Sequence, residues 1–209
     1  MRKAFLLFFI LSAGIKLFAQ NESAINVGSG LSLNVTPPAN SARSHNISGY
    51  HFLIEKPIVF NKEKSVFLSL HPGLKYEVLG EYYETSGLGR WYSYEHLLQS
   101  AFVQSKILFN SRFKSGETFY AGASLGTYFW SVLKDRKNPD REISEYRRSK
   151  LVRPLIGAVV GVRAKKIARL RPALEFKYYP NYGEFGNVKK EALGITLIVG
   201  FATKKELPE

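Results

Sequence analysis

From residue 24 to residue 35 the chain alternates. Ile25, Val27, Leu31, Leu33 and Val35 share one parity, and Asn26, Gly28, Gly30, Ser32 and Asn34 share the other. Successive side chains of a strand point to opposite faces, so this segment is a strand with one apolar face and one small or polar face. Segment 65–79 repeats the pattern with Val66, Leu68, Leu70, Leu74, Tyr76 and Val78 against Ser69, His71, Gly73, Lys75 and Glu77. Segments 170–179 and 192–201 do the same, the last with Leu193, Ile195, Leu197, Val199 and Phe201 against Ala192, Gly194, Thr196 and Gly200. Four less regular segments, 47–55, 97–109, 118–130 and 152–164, complete a set of eight. In 118–130 the inward parity is Tyr120, Gly122, Ser124, Gly126 and Tyr128, small residues with aromatic ends, whereas in 97–109 Gln99 and Ser105 interrupt the apolar parity. Each segment has about the 9–11 residues that a tilted transmembrane strand needs, or slightly more.

The connections support the same architecture. Those at 36–46, 80–96, 131–151 and 180–191 are long, and those between them at 56–64, 110–117 and 165–169 are short. Bacterial outer-membrane barrels carry long loops outside and short turns in the periplasm. The predicted fold is therefore all-β, an eight-stranded up-and-down antiparallel transmembrane β-barrel.

Alternation alone does not say which face is wet. A soluble lipocalin-type barrel keeps its apolar side inside and carries a hydrophobic ligand there; a membrane barrel reverses this. Three features favour the reversed case: apolar faces of large Leu, Val and Phe, glycine-rich opposite faces suited to a narrow lumen, and aromatic residues near segment ends. Those aromatics are Tyr76, Tyr82, Tyr83, Trp91, Tyr92, Phe129, Trp130, Tyr178 and Tyr179, residues that suit headgroup depth. Lys75, Glu77, Lys106, Arg153, Arg163, Arg171, Glu175 and Lys177 then face the lumen. An eight-stranded barrel is just wide enough for side chains to fill, so these charges are expected to form a plug of ion pairs without an open channel.

The first residues read as an address. Arg2 and Lys3 precede an apolar run over 4–11, followed by Ser12, Ala13 and Gly14 and by Phe18-Ala19-Gln20. This is a secretory signal, with cleavage placed after Ala19. Residues 1–19 are thus expected to be the signal and 20–209 the barrel domain. Cleavage removes Arg2, Lys3 and Lys16, which takes the formal charge from +13 to +10. No other run reaches 18 apolar residues, so no helical span is expected beyond the signal. The chain has no cysteine, which excludes disulfide scaffolds, thiolate zinc sites, cysteine nucleophiles and lipoprotein acylation.

The signal ending in Phe18-Ala19-Gln20, the eight alternating segments and the final strand Gly194-Ile195-Thr196-Leu197-Ile198-Val199-Gly200-Phe201 resemble the PorT-like outer-membrane β-barrel family. That final strand is similar to the assembly signal of outer-membrane proteins. The resemblance implies insertion by the barrel-assembly machinery and residence in the outer membrane among its lipids and lipopolysaccharide.

Some small outer-membrane barrels modify lipid A with histidine, serine and a carboxylate, which brings in the histidines. His45 and Ser48 end the first long loop, His51 faces the lumen, His71 precedes Pro72, and His96 follows Glu95 in the second long loop. No spacing joins them into a nucleophile, base and orienting acid, so no catalytic residue is assigned. Nor is there a paired-histidine or acidic metal motif or a phosphate-binding loop, and neither metal nor cofactor is expected. The basic residues are scattered rather than set on one face with stacking aromatics, which argues against nucleic acid. The loop 131–151 is the exception, since its Arg147, Arg148 and Lys150 suit the phosphates of lipopolysaccharide. The expected function is a non-enzymatic outer-membrane barrel with a structural, adhesion or accessory role, meeting a protein partner through its long loops. The alternatives are a soluble secreted lipocalin-like barrel and a lipid A modifying barrel enzyme.

Overall fold

The computed structural model describes residues 24–35, 43–87, 90–135, 154–185 and 188–202. They form nine strands: β1 (Ala24–Asn34), β2 (Arg43–Glu55), β3 (Ile58–Phe60), β4 (Val66–Gly87), β5 (Arg90–Arg112), β6 (Thr118–Asp135), β7 (Leu155–Arg163), β8 (Leu170–Phe185) and β9 (Val188–Ala202). The short β3 continues the line of β2, since both pair with β4. Pro57, which has no N–H to give, falls in the break between them, and the Lys56 N–H bonds the Pro72 carbonyl across it. Eight strands therefore cross, all antiparallel to their neighbours. β9 closes the ring on β1 in an unbroken register from Ala24↔Ala202 to Asn34↔Ala192.

The faces are inside out relative to a soluble protein. Along β7, Leu155, Gly157, Val159 and Gly161 are buried while Ile156, Ala158, Val160 and Val162 are exposed. Leu31, Ile54, Leu74, Phe109, Leu125, Ile156 and Leu197 each expose more than half of their surface. Asn26, His51, Glu55, Lys75, Glu77, Lys106, Glu175 and Lys177 are buried inside. A lipocalin-type carrier requires the opposite arrangement, so that alternative is overturned. An apolar girdle around a ladder with no free edge is the form a sheet takes in hydrocarbon, where no water is present to satisfy a backbone N–H or C=O.

Two expectations need correction. First, the strands run far past the apolar segments: most of 80–96 belongs to β4 and β5, which meet across residues 88–89, and β8 and β9 take up most of 180–191. His45 and His96 are accordingly strand residues, paired with Tyr82 and Glu81, rather than loop residues. Above the bilayer both faces of a strand meet water, so pairing continues there without an apolar parity to reveal it. Second, Tyr179 points into the lumen, 1% exposed, and not to the headgroups. Phe129, Trp130 and Tyr178 do face outward, and Trp130 stacks on Tyr76 with ring centroids 6.5 Å apart. The side chains of Tyr83, Trp91 and Tyr92 lie outside the described residues.

Glycines on β7 make room for neighbouring rings. A Cβ at Gly161 would lie 2.5 Å from Cζ and Oη of Tyr120, and one at Gly157 would lie 2.5 Å from the Tyr179 ring. The short turns use left-handed backbone at Asn61, Gly116 and Ala168, with φ of 53°, 99° and 54°. Ala168 sits in a two-residue hairpin closed by reciprocal bonds between Ile167 and Leu170. Left-handed backbone costs a non-glycine residue about 1 kcal/mol or more. Ala168→Gly should therefore raise unfolding stability by about 1 kcal/mol, whereas Gly161→Ala should lower it by about 1–3 kcal/mol through overpacking. Combining Gly161→Ala with Tyr120→Ala should cost less than the sum of the two single changes, read from urea titrations of the vesicle-inserted protein.

Candidate functional site

Inward-facing side chains fill the barrel as a stack. Towards the long-loop end Leu79, Leu98, Phe102, Leu155, Tyr179, Tyr182 and Ala192 form an apolar cluster, with Tyr128 packed against it. Phe102 and Tyr128, and Tyr128 and Tyr182, meet edge to face with centroids 5.2 and 5.8 Å apart. This cluster lids the polar groups beneath it, all of which come from neighbouring strands at the inward parity.

The polar set nearest the lid is centred on Glu77 of β4. Its Oε1 accepts from Lys75 Nζ at 2.7 Å and from the Ser32 hydroxyl of β1, and its Oε2 accepts from Tyr182 at 2.6 Å. With the Ser32 proton committed to Glu77, His51 Nδ1 donates to Ser32 Oγ at 2.7 Å, and His51 Nε2 accepts from Thr196 at 2.8 Å. The Lys75 ammonium also lies 5.4 Å from the ring centroids of both Phe102 and Tyr179, which shield it from above.

The second set lies towards the short turns. Lys106 Nζ is 2.6 Å from Glu55 Oε2 and 2.8 Å from Glu175 Oε2, and Lys177 Nζ is 3.2 Å from Glu175 Oε1. Asn26 donates to Glu55 at 3.0 Å, Tyr120 donates to Glu175 at 3.2 Å, and Lys177 donates to Gln104 at 3.4 Å. His71 Nδ1 lies 3.0 Å from Glu55 Oε1 and its Nε2 lies 3.0 Å from Ser69 Oγ, which also accepts from Asn110 at 2.8 Å.

Among the described residues the buried charges are Glu55, Glu77 and Glu175 against Lys75, Lys106 and Lys177, each at most 2% exposed. Signs balance within the lumen. Each carboxylate also accepts from neutral donors, the condition under which a buried pair survives its desolvation cost. Arg163 and Arg171, expected in the same network, sit lower and are only half buried at the turn-side ends of β7 and β8. The Arg163 guanidinium lies over the Tyr120 ring, 5.4 Å from its centroid. Arg153, and the rim residues Arg147, Arg148 and Lys150, lie outside the described residues.

Ser69, His71 and Glu55 have the hydrogen-bond order of a hydrolytic triad, serine to one ring nitrogen and carboxylate to the other. All three are fully buried or nearly so, at 0, 0 and 2% exposure. The Ser69 hydroxyl is held inside the barrel, where it also accepts from Asn110. No group of three or more potential metal ligands occurs among the described residues.

No family model and no curated protein matches the sequence. Solved structures do. Neisserial surface protein A, NspA, aligns over 86% of this chain and 99% of its own at a TM-score of 0.52 with 13% identity. It is a small outer-membrane barrel. Ail, the attachment invasion locus protein of Yersinia pestis, covers 85% of this chain and 98% of its own at 12% identity and a TM-score of 0.40. The outer membrane enzyme PagL covers 86% and 99% at 11% identity and a TM-score of 0.39. At such identities the likeness to NspA is one of fold, and the girdle and lumen of this chain carry the rest of the argument.

Glu55, Ser69, Gln104, Asn110, Tyr182 and Thr196 belong to the network without having been singled out in the sequence. Their inward parity was the available signal, and an inward carboxylate such as Glu55 requires cations in reach. Lys106→Met takes from Glu55 the ammonium 2.6 Å away and should cost about 3–5 kcal/mol of unfolding stability. Adding Glu55→Gln should recover most of that loss, as measured by the same urea titration in vesicles.

Proposed function

We propose that this protein is a non-enzymatic outer-membrane barrel with a plugged lumen, whose structural, adhesion or accessory role is exercised by the parts that rise above the membrane. The observation that carries this reading is the sealed interior: charges balanced, each buried polar layer lidded by the aromatic cluster at the long-loop end. Such an interior supports neither permeation nor access of a substrate, and leaves the outer surface to meet partners. β4 and β5, of 22 and 23 residues, are about twice the length a membrane crossing needs, so their hairpin stands well clear of the bilayer. The name of NspA, a surface protein, agrees with a role at the cell face.

The finer assignment is to the PorT-like family, on the strength of the eight alternating segments and the final strand 194–201. Residues 1–19 serve as the secretory signal, 20–209 as the barrel, and the final strand as the segment the assembly machinery reads. Arg147, Arg148 and Lys150 meet lipopolysaccharide phosphates, and a protein partner docks on the long loops. No nucleic acid, metal or cofactor takes part.

A second reading is supported by the order of Ser69, His71 and Glu55: hydrolysis of an acyl ester, as in lipid A modification. It requires an opening that would bring lipid to a hydroxyl with 0% exposure. Planar-bilayer recording of the purified barrel should show no large, stable conductance, and lipid A from cells making the protein should have the same mass spectrum with native Ser69 as with Ser69→Ala. Sustained conductance would overturn the plug, and a mass difference that depends on Ser69 would install the second reading.

A further inference from the structure

The short-turn end carries a surplus of positive charge. Its three turns lie between β3 and β4, β5 and β6, and β7 and β8, which are three of the four gaps between strand pairs at this end, the fourth being the β9–β1 closure. Cations prevail in each: Lys62 and Lys64 against Glu63, Arg112 and Lys114 against Glu117, and Lys165, Lys166 and Arg169 with no carboxylate. Lys64, Arg112, Lys114, Lys165 and Arg169 are exposed. These residues are not counter-ions for the interior, because the buried carboxylates Glu55 and Glu175 already hold Lys106 and Lys177.

Apolar side chains stand among the cations. Phe113, next to Arg112 and Lys114, is 53% exposed, and Ile167, next to Lys166, is 64% exposed. Both belong to turns, beyond the ends of β5 and β7. A ring of turns that pairs an apolar tip with flanking ammonium and guanidinium groups matches the edge of a leaflet. There the apolar group meets the acyl boundary while long basic side chains reach the phosphates. A protein partner would take one face, whereas lipid surrounds the whole circumference.

We propose that this basic rim binds anionic phospholipid headgroups of the periplasmic leaflet, fixing the depth of the barrel from its turn side. Short turns face the periplasm in barrels of this type, which places the rim against the inner leaflet and away from lipopolysaccharide. The site is a selectivity annulus: any phosphate with a net negative headgroup fits, and zwitterionic headgroups fit less well.

The test uses the mature protein reconstituted in phosphatidylcholine vesicles, with spin-labelled phosphatidylglycerol or spin-labelled phosphatidylcholine as the probe of motionally restricted boundary lipid. The native barrel should prefer phosphatidylglycerol by roughly fivefold for each cation engaged, and the preference should fall at high salt. Joint replacement Lys114→Gln, Lys165→Gln, Lys166→Gln and Arg169→Gln changes only turn residues and should remove most of the preference. The folded state of this variant is checked by heat-dependent gel mobility, and single Lys114→Gln and Lys165→Gln proteins, which should each show a partial loss, serve if it does not insert. Arg147→Gln, Arg148→Gln and Lys150→Gln together remove like charge from the long-loop side and should leave the preference in place. Native protein without a preference, rim variants that retain it, or loss of it in the loop variant would overturn the proposal. Displacement of phosphatidylglycerol by soluble polyglutamate would overturn it in favour of an acidic protein partner.

Discussion

Hydrocarbon offers a backbone no hydrogen-bond partner, and the architecture follows from that deficit. A sheet survives there only when its last strand meets its first, as β9 meets β1 along eleven consecutive residue pairs from Ala24↔Ala202 to Asn34↔Ala192. Closure with eight strands leaves a lumen one or two side chains wide. Period-two alternation then sends every second residue into that narrow space, and what arrives must either pack or pair. Lys106 between Glu55 and Glu175, and Lys75 beside Glu77, are the paired solution; Phe102 with Tyr128, Tyr179 and Tyr182 is the packed one.

The same economy accounts for the triad-like order of Ser69, His71 and Glu55. A buried imidazole has one donor and one acceptor to satisfy, so a carboxylate on the N–H side and a hydroxyl on the other is the arrangement that leaves neither orphaned. His51 solves the problem with Ser32 and Thr196, and Glu77 Oε1 lies 3.9 Å from its Nδ1. The two lumen histidines thus have both ring nitrogens partnered, in two different ways.

Much of this was legible in the chain. β1 and β9 alternate so regularly that their outward and inward faces could be assigned residue by residue, and the inward glycines of 118–130 and 152–164 pointed to a tight interior. The upper halves of β4 and β5 were not legible, because beyond residue 80 no regular apolar parity survives in the sequence. Tyr179 shares the inward parity of Glu175 and Lys177 and fills the space over Gly157, although a tyrosine at a strand end also suits the headgroups. Arg163 and Arg171 share the inward parity of Glu175 yet lie too near the mouth to be enclosed. Parity reports the face, while depth along the strand decides the environment.

Apolar faces look out at acyl chains, and the charged faces look into a lumen filled by side chains. The absence of native cysteine makes single-site labelling a direct test. Leu125→Cys and Ile156→Cys, in vesicle-inserted protein, should react with a lipid-soluble maleimide and resist a charged, membrane-impermeant one, while Ser124→Cys should resist both until the protein is unfolded. Rapid modification of Leu125→Cys or Ile156→Cys by the charged reagent, with Ser124→Cys labelled from the lipid phase, would contradict the account.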